Sequence, residues 1–112
     1  MQEATIWILS ALADAPRHGY GVIREVEKLS GGQVRLLAGT LYGALDRLAA
    51  DGLIAVDREE VVDGRNRRYY RLTEDGAAAL EVESERLRRA AEAAEAQLAA
   101  RRRLRPAHRV AW

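Results

Sequence analysis

The hydrophobic period of this chain changes twice along its length, and few folds accommodate that change. Apolar residues recur at helical spacing in three short blocks between Glu3 and Leu48. From Ile54 to Leu72 they recur at every second residue, and from Thr73 onward the helical spacing returns. In the first block, Glu3 to Ala13, residues Ile6, Leu9 and Ala13 share a face with Ile8 and Leu12 beside them, and Asp14-Ala15-Pro16 ends it, because a residue before proline avoids helical geometry. The second runs from about Tyr20 to Ser30 with Val22, Ile23, Val26 and Leu29 inward, and stops at Gly31-Gly32. In the third, Leu41, Leu45 and Leu48 mark a helix starting near Gly39-Thr40, with Thr40 as its N-cap, and ending by Asp51-Gly52.

The period-two segments flank Val62-Asp63-Gly64-Arg65-Asn66, so they read as a β-hairpin. Ile54, Val56, Tyr70 and Leu72 belong on its inner face, and opposed residues share a face. A two-residue Asp63-Gly64 turn pairs Val56 with Arg71 and buries the arginine. An odd-length loop instead pairs Val56 with Leu72 and Arg58 with Tyr70, and is the expected form. In that register Asp57 opposes Arg71, Glu60 opposes Arg68, and Arg67 faces Val61.

The last segment opens with Thr73 as N-cap, and Glu74 and Asp75 complement the positive helix end. It extends to about Arg103, some 30 residues or ~45 Å. Leu80, Ser84, Leu87, Ala91, Ala94 and Leu98 follow the a/d spacing of a helix pair. A helix this long outreaches three short helices and a hairpin, so a second copy of the chain is the economical partner. Leu80, Leu87, Ala91, Ala94 and Leu98 are therefore the expected homodimer contacts. Pro106 marks the expected end of the helix. The organisation read from sequence is a domain over 1–72, a dimerisation helix over 73–105 and a flexible tail over 106–112.

At 112 residues the chain holds one small domain and an appendage. Having no cysteine, it excludes disulfides, thiolate metal sites and cysteine nucleophiles, and no metal or cofactor is expected. No apolar run reaches the roughly 18 residues of a membrane span, and the first residues lack the basic flank and cleavage site of a signal peptide. The expectation is a cytoplasmic protein with no membrane partner. Net charge is only +1, so any anion-binding role must rest on local clusters. Arg65, Arg67, Arg68 and Arg71 form one, with no acid among them. The run Arg101 to Arg103 reads as a solvated helix end complementing the negative pole, or as an auxiliary phosphate contact.

Three helices followed by a hairpin describe a winged helix-turn-helix, mainly α with a small β-hairpin. His18-Gly19-Tyr20, the run Gly39-Thr40-Leu41-Tyr42-Gly43-Ala44-Leu45, and Gly64 with Arg67-Arg68-Tyr69-Tyr70-Arg71-Leu72-Thr73 resemble the PadR family of bacterial transcriptional regulators. The resemblance covers roughly residues 5–80, and the single long final helix is similar to the short branch of that family. Many members carry a proline before the Gly-Thr-Leu-Tyr motif; Ala38 stands there here, which allows the third helix to begin earlier.

The resemblance implies a dimeric regulator of transcription, a repressor, bound to double-stranded DNA. The third helix then enters the major groove with Thr40, Tyr42, Gly43, Ala44 and Arg47 toward the bases or phosphates. Tyr20 opens a helix that crosses the DNA backbone. On the wing, Arg65 and Arg67 lack directly opposed acids in the expected register and are the phosphate or minor-groove ligands, with Tyr69 supporting them. Against this stands a plain alternative, in which wing acids neutralise the arginines and the third helix presents an incidental polar face. Trp7 is packing material or, as in relatives whose dimer cavity binds planar drugs, a ligand contact; no effector is written in the sequence. The competing reading is a winged-helix module that binds protein. No acid–base or nucleophile constellation supports an enzyme.

Overall fold

Ile8 and Leu9, Val22 and Val26, and Leu41 and Leu45 have no solvent-exposed surface, and they come in pairs from three successive helices. The computed structural model describes the backbone of residues 1–110 and the side chains of residues 1–104. The helices are α1 (Glu3–Ala11), α2 (Gly19–Leu29) and α3 (Ala38–Ala50). Ile54 and Tyr70 close the cluster from the sheet. Each fully buried Leu, Ile or Val contributes roughly 1.5–3 kcal/mol, so these helical faces hold the unit together.

Between α1 and α2 lies a two-residue strand, β1 (Arg17–His18), followed after α3 by β2 (Ile54–Val62) and β3 (Arg65–Leu72). The order is β1-β3-β2, antiparallel, with Arg17 opposite Tyr70 and His18 opposite Tyr69. The expected hairpin is thus one part of a three-stranded sheet. Two residues are too few to display a period, which is why β1 has no sequence signal.

The hairpin register differs from the expectation. Asp63 and Gly64 form a two-residue turn with φ of 51° and 76°, so Val62 faces Arg65. Positive φ at both positions makes a turn whose twist matches that of the strands, and Asp-Gly suits it well. Glu60 then opposes Arg67, Glu59 opposes Arg68, and Arg58 opposes Tyr69. A bulge between Val56 and Arg58 absorbs the odd residue, so Val56 faces Tyr70, and not Leu72 as expected, while Ile54 faces Leu72. Arg71 therefore faces Ala55 and not Asp57. Keeping the arginine off the core was the correct constraint; the extra residue sits in the strand, not in the loop.

Helix α3 begins at Ala38, with Leu37 as its uncapped N-terminal flank, so Thr40 is inside the helix and is not its N-cap. Position 38 is the first helical residue, where a proline would fit as well as alanine, so the start of the helix does not depend on that difference. Thr73 does cap α4 (Glu74–Val110): its Oγ1 accepts from the Gly76 N–H at 3.0 Å and donates to the Gly52 carbonyl at 2.7 Å. The expected tail is helical as far as Val110, beyond Pro106. A proline removes one backbone donor and crowds the preceding turn, which weakens a helix without forbidding its continuation. Ala111, Trp112 and the side chain of His108 lie outside the described residues.

The chain divides into two units, Met1–Glu81 and the part from Val82 onward. In the first, Leu80 packs half-buried against the core cluster, so this leucine of the expected seam serves the fold of its own chain. In the second, Leu87 and Leu98 are 40% and 52% exposed. Its polar face carries ion pairs one turn apart. Arg86 holds Glu83 at 2.7 and 2.8 Å, which lowers the Glu83 pKa to about 2, and Arg89 donates to Glu85 at 3.1 Å.

Candidate nucleic-acid interface

A cleft of about 840 Å³ opens between the N-terminus of α2, the outer face of α3 and the distal half of the hairpin. Tyr20, Tyr42, Arg65 and Arg67, four residues singled out from sequence, line it together. His18, Asp46, Asn66 and Arg68 line it as well.

Two motifs meet on one wall. Gly19 is buried at the first position of α2, and a Cβ placed there would come within 2.5 Å of the Tyr42 hydroxyl oxygen. Glycine at 19 thus makes room for the Tyr42 ring to lie across the start of α2. This close approach links His18-Gly19-Tyr20 to the Thr40-Leu41-Tyr42 run. Tyr42 keeps 43% of its surface exposed and Tyr20 keeps 60%, so both remain available to a ligand.

His18 is the N-cap of α2, its Nδ1 accepting from the Gly21 N–H at 3.3 Å. Burial, then the nearby Arg67 and Arg24 charges, hold the imidazole below its usual pKa against the opposing pull of Glu60. The neutral ring is the form that leaves Nδ1 free to accept. The His18 ring and that of Tyr69 stand nearly perpendicular with centroids 5.2 Å apart, and the Arg58 guanidinium lies 3.9 Å above the Tyr69 ring. Tyr69 is therefore clasped between β1 and β2, half-buried, and supports the wing instead of projecting from it.

The wing arginines differ in their neighbours. Arg68 donates to Glu59 at 3.1 Å, and Asn66 donates to the other oxygen of the same carboxylate at 3.4 Å. Glu60, directly across from Arg67, is engaged instead by Arg58 at 2.9 Å. That bond holds the Glu60 carboxyl below the usual carboxylate range and Arg58 above its own ordinary value. Arg67 consequently has an opposed acid, contrary to the expectation, yet no carboxylate among the described residues lies within 4.0 Å of it. Arg65, exposed next to the turn, likewise has none within that distance.

On α3, Thr40, Tyr42, Gly43, Asp46 and Arg47 face outward. Ala44, expected among the outward residues, is 3% exposed and belongs to the core. The 3.6-residue period places it beside Leu41, Leu45 and Leu48, and its small side chain fills the inner edge of the helix. Trp7 is half-buried against the core, its indole N–H donating to Glu3 at 3.3 Å. The sequence pattern assigned no role to Asp46, and none to Gly19 and Arg58 beyond a motif and a strand position. The available signal for Asp46 was its position four residues after Tyr42, on the same helical face. Among the described residues no group of three or more His, Asp or Glu could hold a metal ion, and no helix is long and apolar enough to cross a membrane.

Three helices with a hairpin set against the third define a winged-helix protein. The chain belongs to the transcriptional regulator PadR-like family, whose profile matches residues 8–82. It is 49% identical over 73 residues to the transcriptional regulator Rv3488 of Mycobacterium tuberculosis, covering 65% of this chain and 64% of that protein. The chain thus spans just under two thirds of that relative's length. A PadR family transcription regulator from Clostridium difficile superposes with a TM-score of 0.70 at 26% identity, over 82% of this chain and 94% of that one. Bacillus subtilis PadR, solved in complex with operator DNA, shares the fold with a TM-score of 0.64 at 21% identity, over 71% of this chain and 46% of its own.

Proposed function

We propose that this protein is a DNA-binding transcriptional repressor that acts as a homodimer. In this reading α3 enters the major groove, the N-terminus of α2 meets the backbone, and the wing contacts phosphate or the minor groove. The observation that carries it is the single cleft that gathers Tyr20, Tyr42, Arg65 and Arg67 from three separate elements. Thr40, Gly43 and Arg47 extend the same surface along α3. A two-fold dimer calls for a roughly palindromic operator with half-sites about one helical turn apart.

Phosphate contacts fix affinity, whereas groove-facing side chains fix sequence. Thr40→Ala and Tyr42→Ala should therefore lower the ratio of specific to nonspecific binding, by about five- to a hundredfold if each touches one base pair. Fluorescence anisotropy with a selected duplex and a scrambled one measures that ratio. A ratio left at the wild-type value in both variants removes α3 from the groove. Steep weakening with added salt is also expected, since each neutralised phosphate releases counterions; a salt-independent interaction with protein partners would favour the module reading instead.

For the dimer, Leu87, Ala91, Ala94 and Leu98 supply an apolar stripe on the second unit, with Leu87 and Leu98 the large exposed members. Covering a leucine is worth roughly 1.5–3 kcal/mol per side chain, so Leu87→Glu in both copies should shift the association constant by at least about tenfold. Sedimentation velocity of wild type and variant decides this. A wild type that is monomeric at micromolar concentration overturns the assembly.

A further inference from the structure

Two acids, Asp63 of the hairpin turn and Asp46 of α3, line a cleft whose proposed ligand is a polyanion, and of the two Asp46 is the one on the helix proposed to read bases. It is exposed on α3, one turn beyond Tyr42, and lines the same cavity as Arg65, Arg67 and Arg68. It nevertheless makes no hydrogen bond or ion pair with any described residue. Three of the four wing acids are occupied: Glu59 by Arg68 and Asn66, Glu60 and Asp57 by Arg58; the fourth, Asp63, also lines the cleft but sits in the hairpin turn and not on the helix proposed to enter the groove. Asp46 is thus held by no partner among the described residues.

An ionised carboxylate only accepts hydrogen bonds. Facing phosphate it repels, and facing a guanine edge, which offers N7 and O6 acceptors, it repels again. The donors available in the major groove are the amino groups of cytosine and adenine. Adenine places its amino group beside the N7 acceptor, which works against a carboxylate, whereas cytosine presents N4 without an adjacent ring acceptor in the groove. We infer that Asp46 is a specificity-determining residue that accepts a hydrogen bond from the N4 amino group of one cytosine in each half-site and rejects other bases there by leaving its charge unsatisfied. This rests on the DNA-binding reading above. It adds a second function to the same side chain, because a carboxylate amid the wing arginines lowers nonspecific affinity everywhere else.

The test selects duplexes from a random pool with full-length wild type, Asp46→Ala and Asp46→Asn. The wild type should enrich one cytosine per half-site, and replacing it should cost about ten- to a hundredfold in affinity. With Asp46→Ala the preference at that position should vanish while binding to scrambled duplex tightens. With Asp46→Asn it should move toward adenine, whose N6 and N7 an amide engages together. Melting curves should be unchanged, since the exposed side chain makes no hydrogen bond or ion pair with any described residue. If wild type and Asp46→Ala enrich the same sequence with equal discrimination at every position, Asp46 is not a reader, and the DNA-binding reading stands without it. If the wild type enriches nothing and binding ignores salt, both fall together.

Discussion

Gly76→Ala is expected to lower the melting temperature by roughly 10–20 °C, the largest stability effect of any single methyl group in the first unit. A Cβ at this position would lie 2.0 Å from the carbonyl oxygen of Leu53 and 2.8 Å from Leu72 Cδ1. The leucine methyl is the end of a flexible side chain, so the backbone carbonyl is the neighbour without room to yield. The Leu53 carbonyl accepts from the Thr73 N–H at 3.1 Å, and the Leu53 N–H donates to the Leu48 carbonyl at 3.0 Å, so that peptide is tied on both sides. Gly76 itself is pinned by its N–H on Thr73 Oγ1 at 3.0 Å. Relief requires pulling the first turn of α4 off the junction between α3 and β2. Overpacking of this kind costs about 1–3 kcal/mol and more where backbone must move. Gly43 supplies the control: a Cβ there meets nothing within 4 Å, and alanine should stabilise α3 by about 0.5–1 kcal/mol. Circular dichroism melts of the two variants measure both effects. A Gly76→Ala protein melting within two or so degrees of wild type would mean that α4 is not seated on Leu53.

The same junction shows what a sequence does and does not carry. Thr73 was legible as a cap because capping is local: a hydroxyl, a short reach and a following acidic turn suffice. Gly76 was not, because its need for glycine comes from a carbonyl more than twenty positions away in the chain. The helical blocks were legible through Leu41, Leu45 and Leu48 and their counterparts, since burial imposes the 3.6 period directly. Ala44 misled because alanine suits a core edge and a DNA-facing helix equally well. Leu80 fits the heptad spacing and the domain core at once, and only packing separates the two. In the hairpin, the alternation correctly kept Arg71 outside, but alternation alone does not say whether an odd residue sits in a loop or a strand. Asp63-Gly64 favoured the tight turn, and the bulge at Asp57 reconciled it with the core. Of the candidate interface, the aromatic and basic residues were readable by type. Their grading was not, since it depends on which carboxylate each arginine reaches.

That grading sets the largest expected effect on binding. Arg65 and Arg67 line the cleft with no carboxylate among the described residues within 4.0 Å, whereas Arg68 must release Glu59 at 3.1 Å before it can serve a phosphate. Arg71 faces Ala55 and is not among the residues lining the cleft. Each phosphate neutralised contributes about 0.9 to the slope of log affinity against log salt. Replacing both Arg65 and Arg67 by alanine removes up to four such contacts from a dimer, so the slope should fall by about three to four, and affinity near 0.1 M salt by about three orders of magnitude. Specific and scrambled duplexes should weaken together, because backbone contacts carry no sequence. Arg68→Ala should change the slope by less than one per subunit, and Arg71→Ala hardly at all. Glu59→Gln sharpens the comparison: with its partner charge gone, Arg68 is released toward the cleft and the slope should steepen. The surface pair is worth no more than about 1 kcal/mol, so this variant should fold normally. Anisotropy titrations across a salt series give all five slopes. If Arg68→Ala and Arg71→Ala flatten the slope while the double variant does not, the DNA lies along the other face of the wing. If none of them moves it, the wing stands clear of the DNA and α3 alone holds the complex.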